Sequence, residues 1–246
     1  MSPKPLSGEA FRDASQTGPR ATYQIPNGGT FSVYASCNIA APPQAVYDAL
    51  LDVNKWPQWN TFVPKVDITG HPHPHGQNLK MMEGTNMTFH VQMTPAEKTT
   101  SKEACTHVEP LKLRTKHGSM ARGKLAHQDS STSREVLGKT PVTRIRWNLH
   151  NASIMAPGFL IKAERVNEIE EAEDGTTLYR TWQTFGGMAA KGVKKKYEQA
   201  LKDRFQDWCR DLKRHVESKQ AAGAGSNGEG GRQKSERVDS GGNVQQ

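Results

Sequence analysis

Residues 44–60 read QAVYDALLDVNKWPQWN. Val46, Ala49, Leu50 and Val53 fall at i, i+3, i+4 and i+7, which lays one apolar stripe along a short helix. Ala40-Ala41-Pro42-Pro43 precedes it, and proline suits the first helical turn, where an N–H would have no partner. Asn54 can cap a second short helix, with Pro57 near its first turn and Trp56, Trp59 and Phe62 supplying apolar bulk. Two tryptophans therefore mark a corner in an otherwise polar chain.

Sheet flanks that corner on both sides. Upstream, FSVYASCNI (31–39) alternates, with Phe31, Val33, Ala35, Cys37 and Ile39 on one face. Downstream, a short strand is expected over 63–69. A loop carrying HPHPHG follows, and then NMTFHVQM, in which Met87, Phe89, Val91 and Met93 share a face. A more polar strand is expected near 98–109, and TRIRWNLH puts Ile145, Trp147 and Leu149 together. Two further strands, 159–170 and 176–185, meet at Asp174-Gly175, a strong hairpin signal. Residues 111–141 are basic and rich in Ser and Thr, and read as a long loop or irregular insertion. From Met188 to Glu217, Val193, Tyr197, Leu201, Phe205, Trp208, Leu212 and Val216 hold helical spacing. That is a rod of roughly 40 Å, enough to cross a sheet.

Composition sets the limits. The mean hydropathy of −0.76 reflects polar ends. Residues 1–29 and 218–246 read as disordered tails around one domain at 30–217, because neither end has the apolar surface to offset its ordering entropy. No apolar run suits a signal peptide or a membrane span. Three widely spaced cysteines without a Cys-x-x-Cys pair point to free thiols, hence to a soluble cytoplasmic protein. The net charge of +8 raises nucleic-acid binding. There is no zinc-finger spacing, RNP-like motif or long basic block, and nucleic acid is not an expected partner. Lys194-Lys195-Lys196 is the densest cluster, best read as a solvated helix face, with transient contact to an anionic membrane as the second reading.

Strand, helix, short helix, antiparallel strands and one long final helix resemble the helix-grip architecture of the START-related superfamily (SRPBCC). That superfamily includes polyketide cyclases and dehydrases, coenzyme Q-binding proteins and lipid-transfer START domains. The resemblance rests on Ile39-Ala40-Ala41-Pro42 before Ala45–Leu50, then Asp52-Val53 through Trp56-Pro57-x-Trp59-Asn60. It continues in Glu164-Arg165-Val166, Asp174-Gly175-Thr176-Thr177, Phe185-Gly186-Gly187 and Leu212-Lys213. It implies an α+β fold whose curved sheet wraps the long helix around a cavity. Trp59, Phe62, Phe89, Val91, Met93, Trp147, Leu149, Met155, Phe159, Arg165, Val193, Tyr197, Leu201 and Phe205 are the expected lining. The implied function is binding of a hydrophobic or amphipathic small molecule or lipid, for sequestration or transfer. Enzymology of the cyclase, aromatase or dehydratase type is the alternative, and a protein-interaction module with a filled cavity a distant third.

Few polar residues stand out as chemistry. If Ala163 and Ile169 face inward, so does Arg165, and an inward guanidinium needs an anion or several acceptors. A ligand carboxylate or phenolate would serve; pairing with Glu83 or Glu103 is the commoner outcome for a buried arginine. His71, His73 and His75 have a spacing that zinc can use, but the intervening prolines and the lack of a fourth ligand favour an exposed extended loop. Cys105 and His107 share a strand without the context of a dyad. No hydrolase elbow, zinc-protease motif, phosphate loop or dinucleotide fingerprint occurs. No cofactor is expected, and these grounds name no catalytic residue without excluding an enzyme.

Overall fold

The computed structural model describes residues 4–76, 78–114, 140–150 and 160–226. The expected cavity residues Met155 and Phe159, and most of the expected insertion, lie outside the described residues. The elements run α1 (Gly8–Arg12), β1 (Phe31–Ile39), α2 (Pro43–Leu51), β2 (Lys65–Gly70), β3 (Asn86–Thr94), β4 (Glu97–Val108), β5 (Val142–Leu149), β6 (Lys162–Glu171), β7 (Thr177–Gly186) and α3 (Ala190–Ser226). The strands form one antiparallel sheet in the order β1-β7-β6-β5-β4-β3-β2. α3 lies along its concave face. This is the helix-grip fold.

Each alternating strand turns its apolar set toward α3. Phe31, Val33, Ile39, Met87, Phe89, Ile145 and Trp147 are buried there with Leu201, Phe205, Trp208, Leu212 and Val216 of the helix. Asp174 closes the β6–β7 hairpin by accepting the backbone and hydroxyl hydrogens of Thr176, at 3.0 and 2.6 Å. Gly175 takes the left-handed conformation (φ +80°) that this turn needs.

The tryptophan corner is a 3-10 turn, Val53–Gln58, since Pro57 has no N–H to continue an α-helix. Asn54 does not cap it: Asp52 occupies the N-cap position, and the Asn54 amide donates to Leu79 O at 2.9 Å. Trp56 is fully buried with its edge on Trp208 (4.9 Å) and on Phe89 (5.4 Å). Two polar clamps hold the exit. Asn60 Oδ1 accepts the N–H groups of Phe62 and Val63, and the buried Asp211 of α3 accepts both hydrogens of Thr61.

Described structure extends beyond residues 30–217 at both ends. α3 continues to Ser226, past the expected boundary at Glu217, because Ala221 and Ala222 carry the helix onward. Residues 4–29 pack on the outer face of the sheet instead of forming a free tail. Phe11 meets Tyr34 and Trp182 edge-on, at 5.9 and 5.1 Å. The fully buried Arg20 lies against Phe11 and Tyr34, and its guanidinium donates to the carbonyls of Phe11, Gln16 and Asp13 at 2.8, 3.0 and 2.8 Å. Arg20 thus adds polar anchoring to the apolar contacts of Phe11 and the buried Ile25. Arg20→Ala leaves three inward carbonyls without donors, so we expect a loss of about 2–4 kcal/mol. Limited proteolysis checks it, with cleavage appearing within residues 4–29.

Candidate functional site

A cavity of about 120 Å³ lies between the sheet and α3. Of the expected lining, Phe62, Phe89, Val91, Met93, Trp147, Leu149, Arg165 and Leu201 border it. Trp59, Val193, Tyr197 and Phe205 do not. Trp59 packs on Trp56 and Trp208 and stacks on His215 at 5.7 Å, so it belongs to the aromatic core at the far end of the helix. Phe205 sits beneath the Arg165 guanidinium, 4.3 Å from its central carbon. Glu103, Gln183 and Phe185 line the cavity without having been expected there. Alternation from Cys105 would have placed Glu103 inward, and alternation back from Thr177 would have placed Gln183 and Phe185.

β6 turns Ala163, Arg165, Asn167 and Ile169 toward the interior. Arg165 is only 3% exposed, with its guanidinium over Trp208 at 3.9 Å and Trp147 at 5.5 Å. Its Nε–H donates to Thr181 Oγ1 at 3.1 Å. Behind Thr181 a buried polar chain is satisfied internally. The Trp208 indole donates to Tyr179 Oη (2.8 Å), which donates to Asn167 Oδ1 (2.7 Å), and Asn167 donates to Ile145 O (3.2 Å). Arg165 Nη2 has no partner among the described residues. Burial lowers the Arg165 pKa, with Tyr179 and Cys209 acting in the opposite direction.

Glu103 faces the same cavity from β4. It is 4% exposed, and its Oε2 has no partner among the described residues. Burial pushes its carboxyl up to about 7, against the pull of the Ser101 hydroxyl and the Arg165 charge. The pairing expected of Arg165 with an internal acid is therefore not closed. Glu83 is exposed and faces His107 at 3.4 Å, and no carboxylate of the described residues stands at ion-pair distance from Arg165. An aromatic-walled cavity thus presents a guanidinium nitrogen without a partner among the described residues and a carboxyl that burial pushes up to about 7. The two can receive a ligand oxygen and a second polar group while the walls hold its apolar body.

Outside the cavity lining, near the start of α3, Glu97 accepts hydrogen bonds from Tyr197 Oη at 2.6 Å and Lys196 Nζ at 3.0 Å. These bonds also hold the Glu97 carboxyl below its ordinary range. Helix and β3–β4 turn are latched there by the half-buried Glu97 and Tyr197 and the exposed Lys196.

Other partners are in place around most of the remaining candidates. His71 accepts the His73 N–H on Nδ1 (3.0 Å), which leaves Nε2–H to donate to Lys80 O (3.0 Å), so both ring nitrogens are used in holding the loop. Among the described residues no three His, Cys, Asp or Glu side chains converge as a metal requires. A register shift in β4 separates Cys105 from His107, and burial pushes the Cys105 thiol up to about 12, far from a thiolate nucleophile.

Residues 30–217 match the family model described as polyketide cyclase / dehydrase and lipid transport. A curated relative, oxopyrrolidines biosynthesis cluster protein O of Penicillium oxalicum, is 26% identical over 183 residues, covering 71% of this chain and 81% of the relative. Among solved structures, a hypothetical protein from Helicobacter pylori aligns with a TM-score of 0.56 at 13% identity, over 82% of this chain and 97% of its own. That likeness is one of fold.

Proposed function

We propose that this chain, which belongs to the polyketide cyclase / dehydrase and lipid transport family, takes a hydrophobic or amphipathic molecule between sheet and helix and carries it. The observation that supports this most is Arg165 Nη2, without a partner among the described residues, at the wall of an apolar cavity. A guanidinium so placed favours a ligand with a carboxylate, phenolate or carbonyl oxygen at one end and an aromatic or acyl body. Phe62, Phe89, Val91, Trp147 and Leu201 would contact that body.

The cavity at about 120 Å³ is smaller than the ~300 Å³ or more usual for a drug-sized ligand. Loading would therefore widen it, and the latch of Glu97 to the exposed Lys196 is the contact to release, since exposed ion pairs hold little energy. Native mass spectrometry of the full chain, followed by extraction, should recover an apolar molecule bound one to one. Protein that carries nothing, and takes up no fatty acid or polyketide-like aromatic acid when these are supplied, would sink the carrier reading.

One observation favours a second reading, an enzyme that cyclises or dehydrates a reactive chain. A carboxyl near 7 suits general acid–base catalysis at neutral pH, and Glu103 faces the ligand space. Turnover lost in Glu103→Gln with binding retained would establish it. As for place in the cell, no helix of the described residues is long and apolar enough to cross a membrane. The cysteines Cys37, Cys105 and Cys209 are free, which supports a reducing, cytoplasmic setting.

A further inference from the structure

One end of the sheet, along the strand direction, is basic. β6 begins there at Lys162, opposite Gly186, and the first turns of α3 add Lys191, Lys194, Lys195 and Lys196. The Lys196–Glu97 bond brings the β3–β4 turn, with exposed Lys98, to the same end. Lys194 has only Glu198, at 3.8 Å, and among the described residues no carboxylate pairs with Lys162, Lys191 or Lys195. At this end too, Gly187 (φ +91°) turns the chain out of β7 and leaves Met188 77% exposed, a large apolar side chain standing among lysines.

We propose that this end of the molecule docks on an anionic lipid surface. The lysines would face headgroups, Met188 would enter the headgroup–acyl boundary, and the Glu97 contact with the start of α3 would face the bilayer. The clustered lysines of this end orient the approach, because an anionic surface attracts them. Met188 separates this partner from an acidic protein or a nucleic acid, since an exposed methionine gains nothing from a hydrated polyanion but partitions into an interface. Lipid phosphate would also compete with Glu97 for Lys196, so docking and opening of the cavity would favour each other.

The test is co-sedimentation of the full chain with vesicles of phosphatidylcholine alone and of phosphatidylcholine with an equal part of phosphatidylserine. Binding should be confined to the anionic vesicles and should fade as salt rises. Each lysine near such a surface contributes roughly fivefold, so Lys191→Gln with Lys195→Gln should weaken partitioning by roughly 25-fold. Met188→Ser should weaken it by about tenfold while keeping the salt dependence. These side chains are exposed, and unchanged melting curves would show that the variants are folded. Equal binding to both vesicle types, or wild-type binding by the double lysine variant, would overturn the proposal. So would equal affinity for polyglutamate or RNA with no effect of Met188→Ser. None of these outcomes bears on ligand retention in solution, so the carrier reading is tested apart from this one.

Discussion

Arg165→Met is expected to leave the protein folded and to weaken ligand retention by about 100-fold. The two effects have different sources. In the folded protein the guanidinium is desolvated and bonded through Nε to Thr181, and Nη2 has no partner among the described residues, so removing the charge relieves part of a burial penalty. Against that relief stand the contacts with Trp208 and Phe205, which methionine replaces in part by sulfur–aromatic packing. Offsetting terms of about 1–3 kcal/mol each leave the melting temperature within several degrees of wild type. The ligand loses its charged donor with nothing in return. Urea titration combined with native mass spectrometry on the same samples separates the two. A large fall in stability with ligand retention intact would mean that Arg165 is a structural element and not the orienting group.

Arg165 was visible in the sequence because strand alternation is a strong constraint: once Ala163 and Ile169 face the core, the arginine must too. The same rule made β1, β3 and β5 legible, and the helical spacing from Val193 to Val216 exposed α3. Properties set by register were hidden. That Glu103 shares the cavity with Arg165 depends on β4 and β5 pairing so that Glu103 faces Leu149, with Trp147 in turn facing Arg165 of β6. No local pattern encodes those offsets. Trp59 was misplaced for a related reason. An amphipathic stripe says which face is buried but not where along the helix a neighbour lands, and here Trp59 lands on Trp208 and His215, away from the cavity. Residues 4–29 escaped composition altogether, because a single buried arginine bonded to three carbonyls leaves no apolar signature.

Glu103 makes the stability of this protein depend on pH in a sense opposite to that of its other perturbed carboxylates. In the fold its carboxyl is pushed up to about 7, against an ordinary value of 4.5. Below about pH 4.5 both folded and unfolded chains hold the proton, and the contribution of the neutral group is fully present. As the pH rises the unfolded chain releases its proton first, and the folded protein retains it until about 7. Stability therefore falls across that window, by about 3 kcal/mol, and then levels off. Asp67, Glu97 and Glu109 are held below their ordinary values, so their contributions are present at high pH and lost as the pH falls. The difference between wild type and Glu103→Gln isolates the one group. Urea titrations should give near-equal stability at about pH 4.5 and a growing advantage for the glutamine variant up to about pH 7.5. Ligand binding should follow the same group: an ionised Glu103 beside Arg165 competes for the guanidinium, so retention of an acidic ligand should weaken above about pH 7 in wild type and hold steady in Glu103→Gln. A wild-type profile parallel to that of the variant across the whole window would show that Glu103 ionises as freely as an exposed carboxylate, and the acid–base reading of the cavity would go with it.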